Sequence, residues 1–377
     1  MVGLVRVVRS KKDEQEAYEL LYKAYGPSYF HAKEVFDVTR IYDSTLNKKN
    51  LFILKEGDSL VGAVRTVTRR LMVFGQEFSV GGIAAIVVEP RYRRGGAVFH
   101  SMTQSVLSEM SNRGLDFCLI FARRAVDHFF VRHGFWGTPV EKNIRLLNPP
   151  HPQATSIQFR CIKDSDVPFL ERMHRSINQY FSVFLERPKE LWMSKIKNSS
   201  FTARFDAYLC IDTFTSLPVG YVVAEPAGTI IEAALLPDYK LWYPSVFFSQ
   251  SSPVFEAALR GLSLPQEHPA LRMLRGHAYS SFTRHPHYGG NLLKILNPTD
   301  HDSPLMECVR RQLAQRGVII NERLLRGVTP QSVSRVLTAA LFGYEVQETR
   351  MVLEIPEDSP WERMIPVDVL FSALDDF

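Results

Sequence analysis

The chain reads as a mixed α/β (α+β) protein, and three observations carry that reading. First, residues 83–121 run strand, basic glycine turn, helix, strand. The apolar β-branched stretch IAAIVV stops at Pro90, and Val98, Met102, Val106 and Met110 then recur at four-residue spacing. Second, strand–helix–strand order begins again after the linker Pro149-Pro150-His151-Pro152. Third, 377 residues with 45% hydrophobic and 23% charged content is a soluble globular composition too long for one core. Roughly two or three domains are expected.

In order, residues 4–8 predict a short strand, and residues 11–24 a helix with Ala17, Leu20, Leu21 and Ala24 on one face, closed by Gly26-Pro27. Residues 27–47 are irregular and aromatic (Tyr29, Phe30, Phe36, Tyr42), read either as a substrate cover or as a lid packed on the core. Residues 51–68, turning at Glu56-Gly57-Asp58-Ser59, form a hairpin. Gly81-Gly82 marks a bulge or close backbone approach before the central strand. Gly114 ends the following helix, and residues 115–121 return as a strand. Beyond the linker come strands at 157–162, 207–212, 219–224 and 229–236, with helices at 164–177 and 191–196. From residue 291 strands are expected at 292–295, 318–325 and 351–355 and helices at 303–315 and 332–342, before an apolar terminal stretch at 368–374.

The join at residues 91–97 is the chemical feature. Arg91, Arg93 and Arg94 precede Gly95 and Gly96, which leave backbone N–H groups uncovered at a helix N-terminus where the dipole is positive. Such a turn suits a diphosphate. It is neither a Gly-Lys-Ser/Thr phosphate loop nor a GxGxxG dinucleotide turn, and an ordinary basic turn is the alternative.

Val88-x-Pro90-x-Tyr92-Arg93-x-x-Gly96 resembles the acetyl-CoA-binding motif of GNAT (Gcn5-related) N-acetyltransferases, with Val98 where Gly or Ala is usual. FFVRHGF at 129–135 looks like the aromatic-Tyr-x-x-x-Gly-Phe signature of the same family. The resemblance implies a GNAT domain over residues 1–147 with acetyl-CoA as acyl donor. Its diphosphate would lie on Arg94, Gly95, Gly96, Ala97, Val98 and Phe99, its pantetheine along Ile86, Val87 and Val88, and its far side on Ala125 and Val126, with Arg93 of the motif also among the cofactor-binding residues. The family's general-acid Tyr falls at Phe130, which has no proton to give. His128 and His133 are the nearest titratable groups, His133 is read in preference as a helix C-terminal residue favoured by the dipole, and no residue is nominated as the acid.

Domain count, the stretch Leu185-Glu186-Arg187-Pro188-x-x-Leu191-Trp192 and the terminal Phe377 resemble the enhanced-intracellular-survival (Eis) branch. That resemblance implies a degenerate GNAT-like domain at 153–285, for which an unrelated α+β domain is the alternative, and a sterol-carrier-like C-terminal domain at 290–377. It also implies the Phe377 carboxylate as general base. The expected function is N-acetyl transfer to a small-molecule or peptide amine. A CoA- or acyl-binding protein that lost efficient catalysis with Phe130 is the runner-up, and a lipid-carrying module is third.

A net charge of +5 on this length implies no nucleic-acid partner. No 18-residue apolar run predicts a membrane span, and the N-terminus has no signal-peptide core, so a cytoplasmic location is expected. Cys118, Cys161, Cys210 and Cys308 are scattered without metal-ligand spacing, so no metal is expected. Cys118, Cys161 and Cys210 are read as buried small hydrophobes. Subunit number, including homo-oligomerisation, is left open.

Overall fold

The computed structural model describes residues 5–25, 37, 41, 43–45, 47–94, 96–122, 127–137, 142–146, 156–197, 205–225, 228–265, 268–274, 279–283, 290–321, 328–341, 352–354 and 369–370. The N-terminal part runs β1 (Val5–Val7), α1 (Lys11–Tyr25), β2 (Leu51–Glu56), β3 (Ser59–Val73), β4 (Gln76–Val88), α2 (Ala97–Asn112), β5 (Phe117–Ala122), α3 (Asp127–Val131) and β6 (Trp136–Gly137). The middle runs β7 (Lys142–Leu146), β8 (Ile157–Cys161), α4 (Val167–Asn178), β9 (Val183–Leu185), α5 (Lys189–Ile196), β10 (Asp206–Asp212), β11 (Pro218–Ala224) and β12 (Ile230–Leu235). It continues through α6 (Tyr243–Phe248), α7 (Phe255–Arg260), β13 (Leu262–Leu264), α8 (Pro269–Met273) and β14 (Tyr279–Thr283). The last part holds β15 (Gly290–Ile295), α9 (Pro304–Ala314), β16 (Ile319–Ile320), α10 (Pro330–Leu341), β17 (Leu353–Glu354) and β18 (Val369–Leu370).

The first sheet has the order β1-β2-β3-β4-β5-β15-β6, with β9 added to the far end of β3 and β18 added to β9. One face carries α2. Its buried stripe of Val98, Met102, Val106 and Met110 follows from the four-residue spacing. Gly62 and Gly81 let that helix come close: a Cβ on Gly81 would stand 2.7 Å from Met110 Sδ. The opposite face is shared. α1 covers the β2–β4 half through Ala17, Tyr18 and Leu21, while α9 and α10 cover the β5–β15 half. Ser303, whose hydroxyl accepts from the Met306 N–H, starts α9. Ser334 and Thr338 tie α10 to β15: the Ser334 hydroxyl donates to the Ile295 carbonyl at 2.8 Å, and the Ile295 N–H donates to Thr338 Oγ1 at 3.3 Å.

The second sheet has the order β14-β7-β13-β12-β11-β10-β8, sandwiched between α4–α5 and α6–α8. The Arg187–Trp192 stretch has a structural job there. Arg187 makes two buried hydrogen bonds to Glu232, at 2.7 and 2.9 Å, and lies 5.2 Å over the Trp192 ring. The Tyr221 hydroxyl also donates to Glu232, at 2.5 Å.

Two strands pair differently from the linear boundaries expected at 147/153 and 285/290. β7, which precedes the proline linker, lies in the second sheet, and β15, which follows the middle unit, lies between β5 and β6 of the first. The reason is edge satisfaction: β5 is left with an open edge that β15 pairs along its whole length. Cys118, Cys210 and Cys308 are buried. Cys161 is exposed, contrary to the buried reading, because it ends the edge strand β8.

Candidate active site

The site forms where β4 and β5 part. They pair in parallel only from Val80 with Phe117 to Gly82 with Leu119. Beyond that point β4 keeps β3 on one side, with a register shift opposite Arg65/Thr66 at Ala84, and its other edge opens into a wedge. Glu89 donates to the Val61 carbonyl on β3, so by strand alternation the N–H and C=O groups of Ile86 and Val88 face the open edge, and those of Val87 face β3.

Both open-edge residues are occupied in the protein alone. The Tyr25 hydroxyl, from the last residue of α1, lies 3.2 Å from the Ile86 nitrogen and 3.3 Å from its oxygen. Arg93 Nε donates to the Val88 carbonyl at 2.8 Å, which braces the strand end against the turn. Tyr92 donates to Glu56 at 2.8 Å, pinning the same turn to the β2–β3 hairpin.

Gly96 begins α2 with φ +70°, a left-handed value that glycine reaches without strain, and a Cβ placed there would meet the Phe129 ring at 3.5 Å. The N–H groups of Ala97, Val98 and Phe99 therefore belong to an uncapped first helical turn. Arg93, Arg94 and Ala97 are exposed, Phe99 is half-buried, and the side chains of Val87, Val88 and Val98 are buried. Gly95, Ala125, Val126 and Phe377 lie outside the described residues, as do Tyr29, Phe30, Phe36 and Tyr42 of the aromatic segment.

Phe130 is fully buried, packed edge-on to Phe99 at 5.5 Å and to Phe135 at 5.6 Å. His133 is not a dipole-stabilised helix end. It is buried, 3.1 Å from His100 across the ring nitrogens, and burial followed by His100 and Lys294 pushes it down to about 4. Lys294, on β15, is itself pushed down to about 8 by burial.

On the α1 side of the wedge lies a charged group that sequence reasoning missed. Arg65 is enclosed, and burial pushes it down to about 10 against the opposing fields of Tyr18, Tyr25 and Asp43. Arg69 pairs with Asp43 and donates to Thr45 Oγ1 at 2.9 Å. The available signal was two arginines four residues apart in a strand where apolar residues predominate. Among the described residues no group of three or more His, Cys, Asp or Glu could hold a metal ion, and no helix is long and apolar enough to cross a membrane.

A sheet whose central parallel pair splays over a glycine-started helix is the arrangement the comparisons with known proteins match. Residues 5–137 match the family described as acetyltransferase (GNAT) domain. Solved structures similar over most of the chain include a GCN5-related N-acetyltransferase from Anabaena variabilis, with TM-score 0.56 and 18% identity, covering 78% of this chain and 72% of that one. A probable N-acyltransferase from Enterococcus faecalis has TM-score 0.58 and 12% identity, covering 78% and 73%. Eis1 from Mycobacterium abscessus has TM-score 0.54 and 16% identity, covering 82% and 75%. At these identities the likeness is one of fold. No curated protein matches the sequence.

Proposed function

We propose that the chain transfers the acetyl group of acetyl-CoA to an amine of a small molecule or peptide. The observation that carries this reading is the wedge itself. Past Gly82 the open edge of β4 offers the backbone of Ile86 and Val88 for a pantetheine arm, and it leads straight to the glycine-started turn of α2. Arg94 and the N–H groups of Ala97, Val98 and Phe99 would take the diphosphate, with Gly95, Gly96, Ala125 and Val126 completing the groove; the Gly96 N–H itself donates to the Arg93 carbonyl at 3.3 Å. Arg93 acts by holding the strand end. The resemblance assigns the base to the Phe377 carboxylate. The addition of β18 to the first sheet through β9 supports bringing that segment towards the N-terminal unit.

A second reading, a CoA- or acyl-binding protein with weakened catalysis, is favoured by one observation. The ring at the family's acid position, Phe130, is sealed in an aromatic core. Release of free CoA from acetyl-CoA in the presence of a panel of amines separates the two. Amine-dependent release establishes the transferase. CoA-induced thermal stabilisation without release favours the binding protein, and neither response removes both readings.

A further inference from the structure

A cavity of about 210 Å³ lies at the β6 edge of the first sheet, where α2, the turn after α3 and the start of α10 meet. Its wall is cationic and polar. Arg132 and His133 come from the turn, Gln104 from α2, and Thr329, Ser332 and Arg335 from the start of α10. Among the described residues no carboxylate lines it. Arg132 is exposed and makes no ion pair among the described residues. His133, which is 3% exposed and 3.1 Å from His100 across the ring nitrogens, also lines the cavity. A further cation stands behind the wall: a Cβ on Gly134 would lie 2.8 Å from Lys294 Nζ.

Two arginines, two hydroxyl-bearing residues and a histidine lining a space of this size match the chemistry of a tetrahedral oxyanion. Arginine gives it paired donors, and the Ser332 hydroxyl, which accepts from Thr329 Oγ1 at 3.2 Å, keeps its own proton to give a single one. The geometry points to this cavity as a phosphate-binding site, taking a phosphate monoester between the N-terminal unit and α10. The site is distinct from the diphosphate turn. Gln104 lies eight residues along α2 from Gly96, about 12 Å by helical rise. Because the walls come from residues about 200 apart in sequence, an occupant would pull α10 and the α3 turn together. The phosphate has two possible sources, the 3′-phosphate of CoA or a separate phosphate-bearing molecule. The proposal stands whether or not the chain transfers acetyl groups.

The test uses the full chain and its Arg132→Ala and Arg335→Ala variants. Inorganic phosphate is titrated against sodium chloride of equal ionic strength, with Tm as the readout. Wild type should gain Tm in phosphate beyond chloride, and each variant should lose most of that gain. Equal gains in all three proteins, or no gain in wild type, overturn the proposal. Where the phosphate effect is lost in the variants, calorimetry with CoA and dephospho-CoA assigns the source. A preference for CoA of about tenfold or more in wild type, absent in Arg132→Ala, places the 3′-phosphate here. Equal affinities place a separate phosphate monoester here instead.

Discussion

The hydroxyl of Tyr25 bridges the backbone nitrogen and oxygen of Ile86, at 3.2 and 3.3 Å, on the one edge of β4 that has no strand beside it. A side chain from the end of the first helix thus fills the place of a missing strand. The same two backbone groups are those a pantetheine amide would need. Removing the hydroxyl in Tyr25→Phe takes away an internal competitor worth about 1 kcal/mol, so CoA affinity by calorimetry should rise several-fold. Weaker binding would show instead that Tyr25 holds the edge in its bound shape.

Gly96 is the backbone hinge of the same site. At φ +70° a side chain costs roughly 1–2 kcal/mol in strain, and the Phe129 ring at 3.5 Å adds no clash. Gly96→Val should therefore lower Tm modestly while abolishing the stabilisation CoA gives wild type. A variant that keeps the full CoA response would place the diphosphate elsewhere.

Phe130 permits a sharper statement than its sequence position did. Its ring is sealed between Phe99 and Phe135, so Phe130→Tyr buries a hydroxyl among apolar rings. The expected result is a loss of about 1–3 kcal/mol by denaturant titration and no gain in turnover. A rate increase would mean that the new hydroxyl reaches the thioester.

The Arg187–Glu232 pair should be costly to break from one side. Glu232→Gln leaves a buried guanidinium with its main counter-charge gone, and a loss of about 3–5 kcal/mol is expected. The double variant Arg187→Met/Glu232→Leu should recover part of that loss. A Glu232→Gln protein with wild-type Tm would show that the pair is dispensable.

Two buried histidines set the acid limb of stability. His268 accepts from the Ala270 N–H and faces the Ala233 carbonyl at 2.8 Å, and burial pushes it down to about 4. His133 is pushed equally low. An unfolded histidine protonates near pH 6.5, so between about 6.5 and 4 the unfolded chain binds more protons than the folded one. Stability is therefore full above about 6.5 and falls as the pH drops towards 4, by up to about 3 kcal/mol per histidine. Asp13, held low chiefly by its hydrogen bond to Lys55, and Asp166, held low chiefly by Arg160, act only at lower pH. Denaturation midpoints at pH 7.5 and 5 check this, and equal values would show that both rings open to water.

Much of the local fold around the candidate site was legible because its signals are local. An apolar run ending at Pro90, glycines before a four-residue stripe and a glycine after it follow from backbone geometry and helical period alone. α2 buries Val98, Met102, Val106 and Met110 as that stripe required, and Gly96 adopts the left-handed value only glycine takes cheaply. The helix and strand starts at 157, 206, 218, 304 and 330 fall within a few residues of those expected, for the same reason.

What the sequence left undecided is every relationship made across distance. Tyr25 meets Ile86 61 residues away, and His100 meets His133 33 away. β7 leaves its neighbours for the second sheet, while β15 arrives from residue 290 to close the edge of β5. Period and propensity describe which face of an element is apolar. They do not say which of several compatible open edges it will meet, and that choice is made by the competition among edges and faces for burial once the chain is compact.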